Sequence, residues 1–251
     1  MKTIMISNQK GGVGKTTTTL ELLYLFGQDY KVLGIDLDPQ MNLTLYCGAK
    51  GEKTAKDVLD GDALLEDAVV NVGNFDLLMG DPNLSKADKL YGDADDIFLL
   101  NDILEYADYD FVFIDSAPGR STLLYMEYIA SDYSIIPTEC DEGAIEGIIN
   151  TREDMKRFQK RGQSHVKILG TILTKTENTS LHQMAYQDLK DIHDKIGADP
   201  FKTVIRKSIV ASETKTARMS INEYKKDNNV AKDYRMLYKE ILDRIEKDNE
   251  Q

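Results

Sequence analysis

Lys10-Gly11-Gly12-Val13-Gly14-Lys15-Thr16-Thr17 joins a short apolar run, Thr3–Ser7, to a stretch with helical spacing, Lys15–Phe26. Glycines at 11, 12 and 14 let the backbone curl so that successive N–H groups face one point, which suits phosphate oxygens. The helix that opens near Lys15 adds its positive end to the same anion site. The segment fits the pattern G-x-x-x-x-G-K-[ST] at its Gly14-Lys15-Thr16 end. In that pattern Lys15 bridges the β- and γ-phosphates of a nucleotide and the Thr16 hydroxyl ligates Mg²⁺. The expected nucleotide contacts are therefore Gly11, Gly12, Val13, Gly14, Lys15, Thr16 and Thr17. A second lysine, Lys10, stands at the loop entrance. It cannot easily fold back onto phosphates already held by Lys15.

On either side of this loop the chain alternates short apolar runs with helical stretches. The runs Val32–Asp36, Phe75–Met79, Phe111–Asp115, Ser134–Pro137, Lys167–Leu173 and Thr203–Ile205 read, with Thr3–Ser7, as strands. Several carry no polar residue inside them, as strands covered on both faces do. Asp95–Tyr106, Ser121–Ala130, Ala144–Lys160 and Leu181–Ile196 read as helices between them, and a last one places Val230, Tyr234, Leu237, Ile241 and Ile245 along one side. The expected fold is α/β: a mostly parallel, twisted sheet with helices on both faces, in one domain spanning 1–251.

Composition narrows the class further. The 251 residues carry 31 Lys+Arg against 43 Asp+Glu, a net charge of −12. Gly51–Asp110 alone holds 16 acidic and 4 basic residues, while Lys202–Lys247 holds 12 basic and 7 acidic ones. A polyanion partner is compatible with this uneven distribution, because association follows local potential. No apolar run reaches the roughly 18 residues of a membrane-spanning helix, and no leader precedes the first strand. A cytoplasmic protein is expected. Cys47 and Cys140 cannot build a disulfide framework within one chain, and His165, His182 and His193 lack metal-ligand spacing.

Three acid-bearing segments complete the pattern. Ile35-Asp36-Leu37-Asp38-Pro39-Gln40-Met41-Asn42 follows the second strand, where alternation puts Asp36 and Asp38 on one side, beside the phosphate loop. Phe111-Val112-Phe113-Ile114-Asp115 is four apolar residues and an acid, which delivers Asp115 toward a hydrated Mg²⁺. Pro137-Thr138-Glu139-Cys140-Asp141-Glu142-Gly143-Ala144-Ile145-Glu146-Gly147 is the third.

Together with Asn8-Gln9-Lys10-Gly11-Gly12-Val13-Gly14-Lys15-Thr16-Thr17-Thr18, these segments resemble the deviant Walker A ATPases of the ParA/MinD type, in particular the ParA branch without an N-terminal helix-turn-helix. The resemblance runs, with gaps, from Thr3 to about Leu242. It implies a P-loop NTPase fold, ATP and Mg²⁺ as ligands, and slow ATP hydrolysis in a homodimer that sandwiches the nucleotide. Lys10 corresponds to the lysine that crosses the dimer interface, Asp38 to the carboxylate that positions water, and Asp36 and Asp115 to metal-site acids. Asp141 falls near the dimer interface, and Thr174 and Ile205 on the adenine side. The family's D-x-P-P lacks one proline in Asp115-Ser116-Ala117-Pro118-Gly119. Relatives bind DNA without sequence preference as the ATP dimer, become nucleoid-associated, and are stimulated by a ParB-type adaptor to partition a plasmid or chromosome. The arginines that such relatives use fall on Thr179 and Val210 here, which leaves Arg206, Lys207, Lys215, Arg218, Lys225 and Lys226 as candidate DNA contacts. The alternative is a MinD-like membrane-associated or cargo-positioning ATPase. Arg244–Gln251 lacks the basic amphipathic character of a membrane anchor, so no membrane partner is expected.

Overall fold

The computed structural model describes residues 1–250 apart from Glu142 and Asn178. Seven strands form one sheet: β1 (Lys2–Ile6), β2 (Val32–Asp36), β3 (Val70–Val72), β4 (Phe75–Leu78), β5 (Phe111–Asp115), β6 (Tyr133–Thr138) and β7 (Lys167–Leu173). Their spatial order is β3-β4-β2-β5-β1-β6-β7, parallel throughout except for the β3–β4 hairpin at one edge. β1 sits between β5 and β6, in register from Lys2 opposite Phe111 to Ile6 opposite Asp115.

Period-two alternation within each strand divides the core into two layers. Ile4, Ile6, Phe111 and Phe113 face one way and Met5, Val112 and Ile114 the other, all buried. The first layer is covered by α1 (Lys15–Phe26), α8 (Ile221–Tyr224) and α9 (Asn229–Asn249), whose Leu22, Phe26, Ile221, Tyr234 and Leu237 join Ile4 and Phe113. The second is covered by α3 (Leu99–Glu105), α4 (Thr122–Ala130), α5 (Ala144–Lys160) and α6 (Ser180–Asp191). Two shorter helices, α2 (Asn42–Cys47) and α7 (Val210–Ala217), flank the carboxyl edge. The acidic segment 51–110 supplies β3, β4 and α3 at the sheet's hairpin edge. Arg206 pairs with Thr176, beyond β7 at the opposite edge. The sequence-based fold class therefore matches the sheet and its two helical layers.

Gly34 sets how closely α1 approaches the sheet. A Cβ there would lie 2.7 Å from Leu23 Cδ1 and 3.0 Å from Leu77 Cδ1, so any side chain on β2 here would push those two leucines aside.

Three elements differ from the sequence reading. Thr203–Ile205 is not a strand. Phe201 N–H donates to Thr171 O and Ile205 N–H to Leu173 O, at 2.8 and 2.9 Å, so four residues advance beside two of β7. The Lys202 and Thr203 amides meanwhile donate to Glu240, at 2.8 and 3.0 Å. Without a matched register only an isolated bridge, Thr176–Arg206, survives. The helix expected over Leu181–Ile196 breaks at Ile192 into α6 and a short turn, His193–Ile196. Asp95–Tyr106 opens with a 3₁₀ turn before α3 begins. The short edge strand β3 carried no signal distinct from its hairpin.

Candidate functional site

Each parallel strand ends on the same side of the sheet, and the loops there meet where strand order reverses beside β1. Gly11, Gly12, Gly14, Lys15, Thr16, Thr17, Asp38, Thr174 and Ile205 line one cleft of about 610 Å³. Nine of the expected site residues thus converge from four separate stretches of chain. Val13 is buried behind them, and its carbonyl accepts from Thr174 Oγ1 at 2.9 Å.

The loop is held before any anion enters. Asn8 Nδ2 donates to Pro137 O at 2.8 Å, and Asn8 Oδ1 accepts from the Lys10 amide at 2.9 Å. Gly12 and Gly14 take positive φ, 81° and 94°, as the curl requires. Gly14 precedes α1 in the left-handed region, so the helix axis opens directly on the cleft.

The two loop lysines diverge. Lys15 is buried at 7%, and its ammonium donates to the carbonyls of Asn8 and Lys10, each at 3.1 Å. Burial lowers its pKa, against the charges of Asp115, Asp38 and Glu127. The Lys10 side chain is half exposed outside the cleft lining, and its ammonium lies 2.5 Å from Asp141 Oδ2 of the same chain.

Acids gather beneath Lys15. Asp36 and Asp115 are opposite one another in the β2–β5 register, both fully buried. Asp36 Oδ2 accepts from the Thr44 amide and hydroxyl, at 2.8 and 2.7 Å, and Oδ1 from the Asp38 amide at 3.2 Å. Burial raises its pKa to about 6 against those donors. Asp115 Oδ1 accepts from Thr19 Oγ1 at 3.3 Å, while Oδ2 is buried with no partner. Burial and the Asp36 charge raise its pKa, with the Thr16 hydroxyl and Lys15 opposing. An orphaned buried carboxylate oxygen beside a threonine hydroxyl is a donor pair that suits a hard, oxygen-seeking cation such as Mg²⁺. Among the described residues no cluster of three His, Cys, Asp or Glu side chains could bind a metal alone. Phosphate oxygens and water would supply the rest of such a shell. Asp38 is 7% exposed at the cleft wall, with Oδ1 accepting from the Gln40 amide at 2.9 Å.

Sequence reasoning missed Glu127. It is fully buried in α4, accepts from the Ser116 hydroxyl, and has its pKa raised to about 8 by burial. One acid in the apolar run Thr122-Leu123-Leu124-Tyr125-Met126-Glu127-Tyr128-Ile129 was the available signal. Asp233 was also missed and had none.

The six basic candidates separate. Arg206 Nε and Nη2 pair with buried Asp233 at 2.8 and 2.7 Å. Lys207 pairs with Glu177 and Lys225 with Glu213, each at 2.9 Å. Lys215 lies 5.1 Å over the Tyr46 ring and lines the cleft, as do Arg206 and Lys207. Arg218 caps α7 with φ 56°, and it and Lys226 stand apart from the cleft. Cys140 packs near the Leu181 carbonyl, 3.4 Å away, and its thiol pKa is raised by burial rather than lowered as in a nucleophile.

This geometry has known counterparts. The AAA domain family profile matches residues 1–168. The chain is 29% identical to the chromosome-partitioning ATPase Soj of Thermus thermophilus, over 98% of this chain and 97% of that one. It is 32% identical to the sporulation initiation inhibitor protein Soj of Bacillus subtilis, over 96% and 98%. Among solved structures, Cyanothece McdA in complex with ATP, an Asp-to-Ala variant, superposes with a TM-score of 0.85 at 27% identity, covering 96% of both chains. The septum site-determining protein MinD of Pyrococcus horikoshii, complexed with Mg-ADP, superposes at 0.76 with 27% identity over 96% and 95%. Nucleotide and magnesium are thus bound by solved proteins of this fold, and among the described residues no helix is long and apolar enough to cross a membrane. With its glycine-rich loop, its buried acids and full-length likeness to Soj, the chain belongs to the ParA/MinD family of P-loop ATPases.

Proposed function

We propose that this chain is a Mg-ATP-dependent dimerising switch that partitions DNA, holding DNA without sequence preference in its ATP-bound dimer and releasing it when a ParB-type adaptor stimulates hydrolysis. The observation that carries this reading is the divergence of the two loop lysines. Lys15 is buried on the loop's own carbonyls, whereas Lys10 is half exposed and turned outward to Asp141. An outward ammonium beside a phosphate cleft reaches a second copy's nucleotide once it exchanges the Asp141 carboxylate for phosphate.

The chain's own residues then have distinct tasks. The loop amides and α1 bind the phosphates, and Lys15 exchanges two neutral carbonyl acceptors for phosphate oxygens. Thr16, with Asp115 and Asp36 behind it, would hold magnesium, which supplies charge neutralisation when bound. Asp38 orients the attacking water, and Thr174 and Ile205 border the adenine side. Lys10 from the facing copy stabilises charge developing on the transferred phosphoryl group, a device worth about 10³–10⁵ in rate where arginine fingers act in trans. Hydrolysis is therefore slow until two chains close, and it serves as a timer. The chromosome-partitioning role of the Thermus thermophilus relative supports this reading.

Size-exclusion chromatography and DNA shift with ATP test this reading. Asp38→Ala accumulates as a DNA-bound dimer, while Lys10→Ala stays monomeric and still binds ATP. Unchanged behaviour of both variants rejects the assigned roles.

A further inference from the structure

Lys175, one residue past the Thr174 that follows β7, has φ 52°, a left-handed conformation that few residues other than glycine adopt. In that conformation its Nζ donates to the Gly12 carbonyl at 2.6 Å and lies 2.7 Å from Glu139 Oε1. Beside it, Thr174 Oγ1 shares its proton between the Val13 and Thr138 carbonyls, at 2.9 and 3.0 Å. Two consecutive carbonyls of the glycine-rich loop are therefore gripped by two consecutive residues.

The consequence follows from peptide geometry. In a planar trans peptide the C=O and the next N–H point in opposite directions. Fixing the Gly12 and Val13 carbonyls toward the end of β7 fixes the Val13 and Gly14 amides the other way. Glycines at 11, 12 and 14 give the loop little stiffness of its own, so its amide directions depend on such an outside hold. Donors oriented beforehand bind an anion more tightly than donors that must be ordered during binding. Lys175 also lines the cleft, and Glu139 balances its charge, so what it offers the phosphates directly is reduced while its hold on the loop remains.

We infer that Lys175 is a positioning residue for the phosphate loop: by holding the Gly12 carbonyl it sets the amide cradle before a nucleotide arrives. The inference rests on reading the cleft as an ATP site. It makes Lys175 a determinant of affinity in the single chain, whereas Lys10 acts only once two chains meet.

Equilibrium titration of the full chain with Mg-ATP tests this. Lys175→Asn keeps a residue that tolerates the left-handed region but removes the ammonium. Its affinity for Mg-ATP should fall about ten-fold, with a melting temperature equal to or above that of the unmodified chain, since strain is relieved. Should Lys175→Asn melt early, Lys175→Gly takes its place, because that backbone carries no penalty in glycine. Mg-ATP affinity within two-fold of the unmodified chain in the stable variant overturns the inference. Failure of the unmodified chain to bind Mg-ATP at all overturns the ATP-site reading beneath it.

Discussion

At Glu127 a single carboxyl carries a charge state that the pH can read. Its pKa is about 8 in the fold, raised from 4.5 by burial, while the Ser116 hydroxyl and Lys15 pull the other way and Asp38 adds to the rise. Between those two values the folded chain holds a proton that the unfolded chain has released. Stability therefore falls as pH climbs through that window, by up to about 1.4 kcal/mol per pH unit, and levels off above it. Glu127→Gln mimics the protonated form and should make the decline shallower, with Asp36 and Glu21, also raised by burial, supplying the rest, measured by urea unfolding at pH 5.5, 6.5 and 7.5. Identical slopes for the two chains would count against a buried proton. Thr44 offers a second residue-scale test. Its amide and hydroxyl both donate to buried Asp36, and its hydroxyl also accepts from the Gly80 amide at 2.9 Å. Thr44→Val leaves a buried carboxylate short of a donor and should cost about 2–3 kcal/mol in denaturant unfolding. A loss under about 0.5 kcal/mol, on the same scale of hydrogen-bond energies, would mean that water replaces the hydroxyl.

Between elements, the seating of α1 on β2 decides where the loop ahead of it lies. Gly34 permits that seating, with Leu23 and Leu77 already occupying the space a side chain would need. Gly34→Ala should destabilise the chain by about 1–3 kcal/mol, as overpacked cores do, and weaken nucleotide binding as well because the helix carries Lys15 and Thr16. Thermal unfolding and Mg-ATP titration measure the two effects together. Unchanged values in both would show that α1 shifts freely. At this scale much was legible in the chain. β2, β5, β7, α1 and α5 fall where their apolar runs and spacing put them, because each is bounded by turn residues and buried by its own pattern. Thr203–Ile205 misled because its backbone donors are taken by Glu240, a side chain on a distant helix. The glycine-rich turn was legible for the same reason as α1: it depends on local backbone. Arg206 was not, since its bidentate partner Asp233 lies 27 residues on and is set by tertiary packing.

Across the whole molecule the cations that remain without a carboxylate matter most for a polyanion. Lys207 and Lys225 are each paired with a glutamate, and Arg206 is tied to Asp233. Arg218 and Lys226 have no carboxylate partner among the described residues. If the ATP dimer meets DNA through them, Arg218→Ala with Lys226→Ala should reduce the dependence of log K on log salt by about 0.9 for each phosphate no longer neutralised. Filter binding at several salt concentrations with Mg-ATP present measures this. An unaltered slope moves the DNA surface elsewhere, with Lys215 the next candidate. ATP affinity should stay the same in the double variant, because neither residue lines the cleft.

Segment 51–110, with 16 acids against 4 bases, concentrates the negative charge of the chain in one stretch. In the field of a long negatively charged rod such a body experiences a torque before it makes any contact. It would be turned with its acidic stretch trailing, so that fewer collisions are wasted on the wrong side, and added salt would erase that bias faster than it loosens the bound state.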